Sequence, residues 1–142
     1  MPIFPATFRQ SGFQPVRTCR APGEHSALNG FTVWVDDAAA PTYDQILGGG
    51  GAVHLMPAGA IVVKELYGDR DCNVVDRWVA MKKVAGFDPG HGDWYWQDLA
   101  PNRAIIREGQ LPACSDCHEG RPDATCIGYG AVNGMDYLCT AP

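Results

Sequence analysis

The sequence has no apolar run long enough to cross a membrane as a helix, and it has no run of basic residues. Its 142 residues carry 11 Lys and Arg against 16 Asp and Glu, which gives a formal net charge of −5. We therefore expect no nucleic-acid partner and no membrane span. Internal repeats and low-complexity tracts are also lacking. We predict one domain over residues 1–142, with residues 1–29 as an N-terminal arm rich in Pro, Gly and Arg.

The most informative motif is a pair of cysteines followed at once by a histidine, Cys114-Ser115-Asp116-Cys117-His118. Two thiols three residues apart on one helical turn can each form a thioether with a vinyl group of haem, and the adjacent histidine can then bind the iron. The motif predicts one covalently bound haem c. Cys114 and Cys117 would tether it, and His118 would be the proximal iron ligand.

Two other kinds of site also use a Cys-x-x-Cys pair. Zinc ribbons usually carry a second such pair or a His-x-x-x-His pair; the sequence has neither, although Cys126 and Cys139 could complete four thiolates. A thioredoxin-like redox pair needs a preceding strand within a βαβ unit. The upstream sequence predicts antiparallel strands instead, so haem is favoured over both alternatives.

Four cysteines lie outside the motif: Cys19, Cys72, Cys126 and Cys139. An even number predicts two disulfides in an oxidising compartment, with buried free thiols as the alternative. Three pairings are possible and the sequence does not choose among them; we favour Cys19–Cys72 and Cys126–Cys139. Haem c is attached on the outer side of the bacterial inner membrane, so we expect a periplasmic or exported protein. The amino terminus lacks the basic and apolar regions of a secretory signal, and we expect that signal to have been removed.

Apolar and β-branched runs bounded by Gly and Pro predict four strands, at residues 31–35, 59–67, 74–84 and 93–99. A helix is predicted over 38–47, capped by Asp36 or Asp37. A short helix is predicted to begin at Ile105, and Pro112 is predicted to open the helix that carries the motif. Consecutive strands with short connections favour an α+β fold, mainly an antiparallel sheet with a few short helices enclosing one haem.

Three blocks of sequence accompany the motif in a fixed order. They are Thr32-Val33-Trp34-Val35-Asp36, Gly59-Ala60-Ile61-Val62-Val63-Lys64-Glu65-Leu66, and Gly92-Asp93-Trp94-Tyr95-Trp96; the motif and then Asp136-Tyr137-Leu138 follow the third block. Together the blocks resemble the cytochrome P-460 and cytochrome c′-beta family. The resemblance implies a small antiparallel β protein holding one c-type haem, usually as a homodimer. It also implies a five-coordinate iron with His118 proximal and an open distal side.

The resemblance singles out two further residues. Lys64 matches the position at which P-460 members join a lysine to the porphyrin, and a lysine facing haem favours the neutral, nucleophilic amine. The alternative is a lysine that reaches solvent or pairs with Glu65 or Asp69. Hydroxylamine-oxidising members place an arginine where this chain has Phe31. That phenylalanine would either make a drier distal pocket or pack in the core.

We therefore predict a c-type monohaem cytochrome of the P-460 type that acts on or binds small nitrogen species, by hydroxylamine oxidation or nitric oxide binding. The alternatives are a c′-beta-like protein that binds diatomic gases without turnover and a six-coordinate electron carrier. The expected partners are a small-molecule substrate or diatomic gas and a soluble electron-transfer protein. The side chains that could supply a sixth iron ligand are His25, His54, His91, Met56, Met81 and Met135.

Overall fold

Six β-strands pair in sequence order to form one antiparallel sheet. The computed structural model describes residues 1–20, 29–48 and 54–119. The elements in chain order are β1 (Phe13–Arg20), β2 (Phe31–Asp36), α1 (Ala40–Gly48), β3 (Ile61–Tyr67), β4 (Val75–Lys83), a short 3-10 helix (Pro89–His91), β5 (Trp94–Leu99), β6 (Ile105–Gly109) and α2 (Pro112–His118). The predicted α+β class with a mainly antiparallel sheet is confirmed in this part of the chain.

The four predicted strands are present as β2, β3, β4 and β5, and the two helices expected at residues 38–47 and after Pro112 are α1 and α2. The carboxylate of Asp36 accepts a hydrogen bond from the Ala39 amide at 2.9 Å, just before α1 begins. The same oxygen accepts from the Ile61 amide at 3.0 Å. One side chain therefore fixes the entry to α1 and the start of β3.

The short helix predicted to begin at Ile105 is wrong, because this segment is strand β6. The Ala100 amide donates to the Ala104 carbonyl at 2.9 Å, which closes a tight turn after β5. Leu99 then pairs with Ile105 across the hairpin. Pairing with β5 supplies backbone hydrogen bonds along the whole segment, whereas a single helical turn would leave most of its groups without partners.

The N-terminal arm expected over residues 1–29 is not irregular throughout, since Phe13–Arg20 forms the edge strand β1. It pairs with β2, and the register shifts between Pro15 and Arg17 and again between Arg17 and Arg20. A segment with proline and several exposed polar residues has weak strand propensity. Its pairing with the apolar β2 decides its conformation. Residues 21–28 of the expected arm lie outside the described residues.

Residues 1–12 cover one side of the sheet, which we call the closed face. Phe4 and Phe8 are almost fully buried and pack edge to face at 5.1 Å between ring centroids. They form a cluster with Val63, Trp78 and Leu99 of the sheet. The Ile3 amide donates to the Gln97 side chain at 2.8 Å, and Arg103 donates to the Phe4 carbonyl at 2.6 Å. Apolar burial and these hydrogen bonds together hold the segment in place.

The opposite side of the sheet, the cavity face, carries the second apolar cluster. Its members come from α1, β2, β3, β4 and β5, and they include Tyr43, Ile46, Val35, Met81 and Trp94. Antiparallel register places one row of residues side by side across this face: Val33, Lys64, Val79, Asp98 and Arg107. Side chains alternate between the faces along each strand, so this row and its neighbours two residues away all point to the same side.

The predicted disulfide Cys19–Cys72 is present and joins the end of β1 to the connection between β3 and β4. Gly30 packs against it: a Cβ added there would lie 2.3 Å from the Cys72 sulfur, so only glycine fits. Cys126 and Cys139 of the other predicted pair lie outside the described residues. Within the described ranges, the helices are too short and too polar to cross a membrane.

Candidate functional site

Helix α2 brings the motif residues to one side of a single turn. Pro112 occupies the first turn, where its missing amide costs nothing, and the Cys114 and Ser115 amides both donate to the Leu111 carbonyl, at 2.8 and 3.0 Å. Residues three and four apart in a helix share a face, so Cys114, Cys117 and His118 lie together. Ser115 is buried at 2% exposure, and its hydroxyl donates to the Leu111 carbonyl of the same turn at 3.4 Å.

A cavity of about 80 Å³ lies between α2, α1 and the cavity face. Its lining is mostly apolar with a few charged and polar groups, and consists of Val33, Tyr43, Val62, Lys64, Val79, Ala80, Met81, Trp96, Gln97, Asp98, Arg107, Cys114 and His118. Three residues singled out from the sequence, Lys64, Cys114 and His118, therefore border one space. Phe31 and Cys117 are not among the described residues that line it.

The two motif thiols are half-buried and are not joined in a disulfide. Burial raises the pKa of the Cys114 thiol, and the Arg107 guanidinium offsets this only in part. Redox-active Cys-x-x-Cys pairs instead have a lowered thiol pKa and stand in a βαβ unit. Here the motif follows an antiparallel hairpin, so neither the local chemistry nor the topology fits a thioredoxin-like site.

The imidazole of His118 packs against Trp96 of β5. The ring centroids are 4.8 Å apart in an edge-to-face arrangement, and Trp96 is only 5% exposed. The contact fixes the orientation of the histidine at the border of the cavity. The Trp96 indole nitrogen has no hydrogen-bond partner among the described residues.

Lys64 projects from β3 on the cavity face, and its Nζ lies 4.3 Å from the centroid of the Phe31 ring. Phe31 itself is 8% exposed and belongs to the apolar cluster of that face. Glu65, considered from the sequence as a partner of Lys64, lies on the closed face. The Asp69 carboxylate accepts hydrogen bonds from the Asn73 and Val74 amides, at 3.0 and 3.1 Å.

A buried carboxylate at the edge of the cavity was not found from the sequence. Asp98 is about 3% exposed at its side chain and accepts hydrogen bonds from Arg77 and from Arg107, the latter at 2.9 Å. Burial alone would raise the pKa of Asp98, but the hydrogen bonds and charges of the two guanidiniums outweigh it and lower the pKa below its usual value. Arg77, Asp98 and Arg107 lie on three different strands, and the pairing of β4, β5 and β6 brings them together.

The candidate sixth ligands of the iron differ in whether they line the cavity. Met81 lines the cavity, whereas Met56 is buried in the apolar cluster of the same face. His91 is not among the described lining residues; its Nδ1 lies 3.1 Å from the Asp88 carboxylate, which raises the pKa of His91. The imidazole also stands within 4.8 Å of ligand atoms of Asp116 and Glu119 at the surface of α2. His54 is half-buried in a connecting segment, and His25 and Met135 lie outside the described residues.

No family model matches this chain, and no curated protein matches it significantly. The assignment of a cofactor therefore depends on the site itself. Two thiols outside any disulfide and an adjacent histidine, beside an apolar space, fit a covalently tethered haem. The cavity of about 80 Å³ is smaller than the roughly 300–1,000 Å³ of pockets that bury a drug-sized ligand, so it would accommodate only part of the haem.

Proposed function

We propose that this protein is a c-type monohaem cytochrome of the P-460 type with a five-coordinate iron, acting on or binding small nitrogen species. The observation that carries the proposal is the placement of the motif on α2. Cys114 and His118 border an apolar cavity, and Lys64 lines the same cavity from the sheet. This function needs a thiol that tethers the haem, a histidine that binds the iron, and an amine near enough to bond to the porphyrin.

Each residue then has a defined task. Cys114 and Cys117 would hold the haem through their thiols, and His118 would bind the iron through an imidazole nitrogen while Trp96 orients the imidazole. The haem would supply the redox and ligand-binding chemistry. Val33, Val62 and neighbouring apolar side chains give the cavity a mostly apolar lining. An apolar lining favours neutral diatomic molecules such as nitric oxide over polar or strongly hydrated ones, so it supports gas binding more than hydroxylamine oxidation.

Lys64 distinguishes the two versions of the proposal. In a P-460 enzyme its Nζ would be bonded to the porphyrin and the substrate would be hydroxylamine. In a c′-beta-like protein Lys64 would stay beside Phe31 with no bond to the porphyrin, and the protein would bind a diatomic gas without turnover. In either version we propose a periplasmic or exported homodimer, with a soluble electron-transfer partner for the enzyme.

The absorption spectrum of the exported protein tests the proposal directly. We expect stoichiometric haem that remains bound after denaturation, and its complete loss in the double variant Cys114→Ala with Cys117→Ala. Asp116→Asn is the matched control, because it changes the motif without removing a thiol. Haem retained by the double variant, or a wild-type protein without haem, would refute the proposal.

Lys64→Met tests the covalent link to the ring. A cross-linked lysine moves the ferrous Soret band to longer wavelength and leaves a β3 peptide attached to haem after proteolysis. We expect both features to disappear in Lys64→Met and to persist in Lys82→Met, which alters a lysine of the neighbouring strand β4. Identical spectra for wild type and Lys64→Met would exclude the P-460 version and favour gas binding.

An electron carrier is the second candidate, and one observation favours it: Met81 lines the same cavity as His118. A thioether opposite the histidine would give a six-coordinate, low-spin iron. A low-spin ferric spectrum that becomes high-spin in Met81→Leu would establish this function. A high-spin wild-type spectrum would exclude it.

A further inference from the structure

A histidine and two carboxylates meet at the surface, between the 3-10 helix and α2. Ligand atoms of His91, Asp116 and Glu119 all lie within 4.8 Å of one another. His91 ends the 3-10 helix in the connection between β4 and β5, whereas Asp116 lies in α2 and Glu119 follows its last residue. Asp116 and Glu119 are three residues apart and share one face of the helix. The fold, and not a local motif, therefore brings an imidazole to this pair of carboxylates.

A fourth residue, Asp88, orients the imidazole from behind. The Nδ1 atom of His91 lies 3.1 and 3.2 Å from the two oxygens of the Asp88 carboxylate. The Asp88 carbonyl also accepts hydrogen bonds from the His91 and Asp93 amides, both at 2.9 Å, which closes the turn. When Nδ1 donates its proton to Asp88, the Nε2 atom keeps a lone pair for another partner. A histidine with a carboxylate behind it is the usual arrangement at protein metal sites.

The electrostatics of this corner favour a cation. The hydrogen bond to Asp88 raises the pKa of His91 most, and the negative charges of Glu119 and Asp116 raise it as well. The His91 side chain is 40% exposed, so an ion and its water can reach the imidazole. Calcium and magnesium prefer oxygen ligands only, whereas one imidazole with two carboxylates suits a divalent transition metal or zinc.

We propose that His91, Asp116 and Glu119 bind one zinc-like divalent cation, with Nε2 of His91 as the nitrogen ligand and water in the fourth position. Ligand atoms around a tetrahedral zinc ion lie roughly 3.4 Å apart, so the three groups must close by up to roughly 1.4 Å. Rotation of the exposed Glu119 side chain supplies part of this movement. The cation ties the helix that carries the cysteine motif to the connection between β4 and β5. The three ligands are not among the described cavity lining, so the site does not depend on the proposed haem.

Calorimetric titration with zinc chloride tests the site in the protein as isolated and in the double variant Cys114→Ala with Cys117→Ala. We expect one equivalent of zinc to bind both proteins, because the thiols are not ligands. Asp88→Asn should weaken binding about 10- to 100-fold, the usual effect of removing the group behind a metal-binding histidine. His91→Gln should weaken it further, because it removes a ligand. His54→Gln is the matched control, since His54 lies in another connecting segment outside this group.

Glu119→Gln provides a second test that does not risk the fold, because its side chain is exposed. It should also weaken zinc binding, and an excess of magnesium should not displace the zinc. Zinc at one hundred times its Kd should raise the folding equilibrium constant about 100-fold in wild type, as measured by urea denaturation, and much less in His91→Gln.

Three results would refute the site. The first is equal zinc affinity in wild type, His91→Gln and Glu119→Gln, and the second is displacement of the zinc by magnesium. The third is zinc binding that disappears in the double cysteine variant, which would place the ion at the motif thiols. The absorption spectrum reports haem in the same samples, so the zinc site and the proposed function can fail separately.

Discussion

The two faces of the sheet differ in how completely they are filled, although each holds a buried and paired carboxylate. On the closed face Glu65 is 1% exposed, yet its carboxylate is bonded by Arg9, by the Tyr67 hydroxyl at 2.5 Å and by the Trp78 indole at 2.9 Å. Burial and the hydrogen bond to Glu65 raise the pKa of Tyr67 to about 12, so it remains a donor. Both oxygens of the buried Glu65 carboxylate therefore accept hydrogen bonds.

The cavity face is less completely filled. A cavity of about 80 Å³ lies against it, although its buried carboxylate, Asp98, is paired with two arginines. Stability alone would favour filling that space. The comparison indicates that the closed face is packed for stability, whereas the cavity face leaves an unfilled space beside the helix that carries the cysteine motif.

The largest effect should come from truncation on the closed face. Phe8→Ala removes a ring that is 1% exposed and packed against Phe4 and Trp34. We expect the free energy of unfolding to fall by about 3–5 kcal/mol, because the residues around the ring cannot collapse into the hole. Urea denaturation measures it. A loss below about 1 kcal/mol would mean that residues 1–12 contribute little to this face.

A matched pair of substitutions in one strand sharpens the comparison. Val63 points to the closed face and is fully buried, whereas Val62 borders the cavity. We expect Val63→Ala to cost roughly 2–3 kcal/mol and Val62→Ala roughly 1–2 kcal/mol, since a side chain beside an existing space has fewer contacts to lose. Equal losses in urea denaturation would argue that the cavity is filled in solution.

Asp98→Asn tests the carboxylate that lines the cavity. The folded pKa of Asp98 lies below the usual 3.8, so its stabilisation is fully present above that value and is lost as the pH falls through the folded pKa. We expect a loss of about 1–2 kcal/mol at neutral pH, because both arginines are partly exposed. Stability measured between about pH 5 and pH 2 should fall less steeply in the variant. The exposed Asp71→Asn is the control, and a wild-type-like slope for Asp98→Asn would contradict this account.

The smallest effect concerns the contact between Lys64 and Phe31. A double-mutant cycle with Lys64→Met and Phe31→Leu should give a coupling of about 0.5–1 kcal/mol, the usual size of a half-buried cation–π contact. Chemical denaturation of the four proteins measures it. A coupling near zero would mean that the ammonium leaves the ring, as expected if Nζ is bonded elsewhere.

The strands with strong apolar patterns could be predicted from the sequence, and the two weak ones could not. Phe31–Asp36 and Trp94–Leu99 are aromatic and β-branched, so local propensity and tertiary pairing agree. Phe13–Arg20 and Ile105–Gly109 are strands only because each lies beside a stronger neighbour. The Cys19–Cys72 disulfide was the favoured one of three possible pairings, and cysteine spacing alone could not decide among them.

The sequence by itself determined the α+β class, the helix that bears Cys114, Cys117 and His118, and the proposal of a tethered haem. These depend on residue type and on spacing within a few positions. Only the tertiary structure decided that Asp98 lies between two arginines and that Tyr43 and Trp96 share one cavity. Those residues are far apart along the chain, and strand register with helix packing brings them together, which local sequence does not encode.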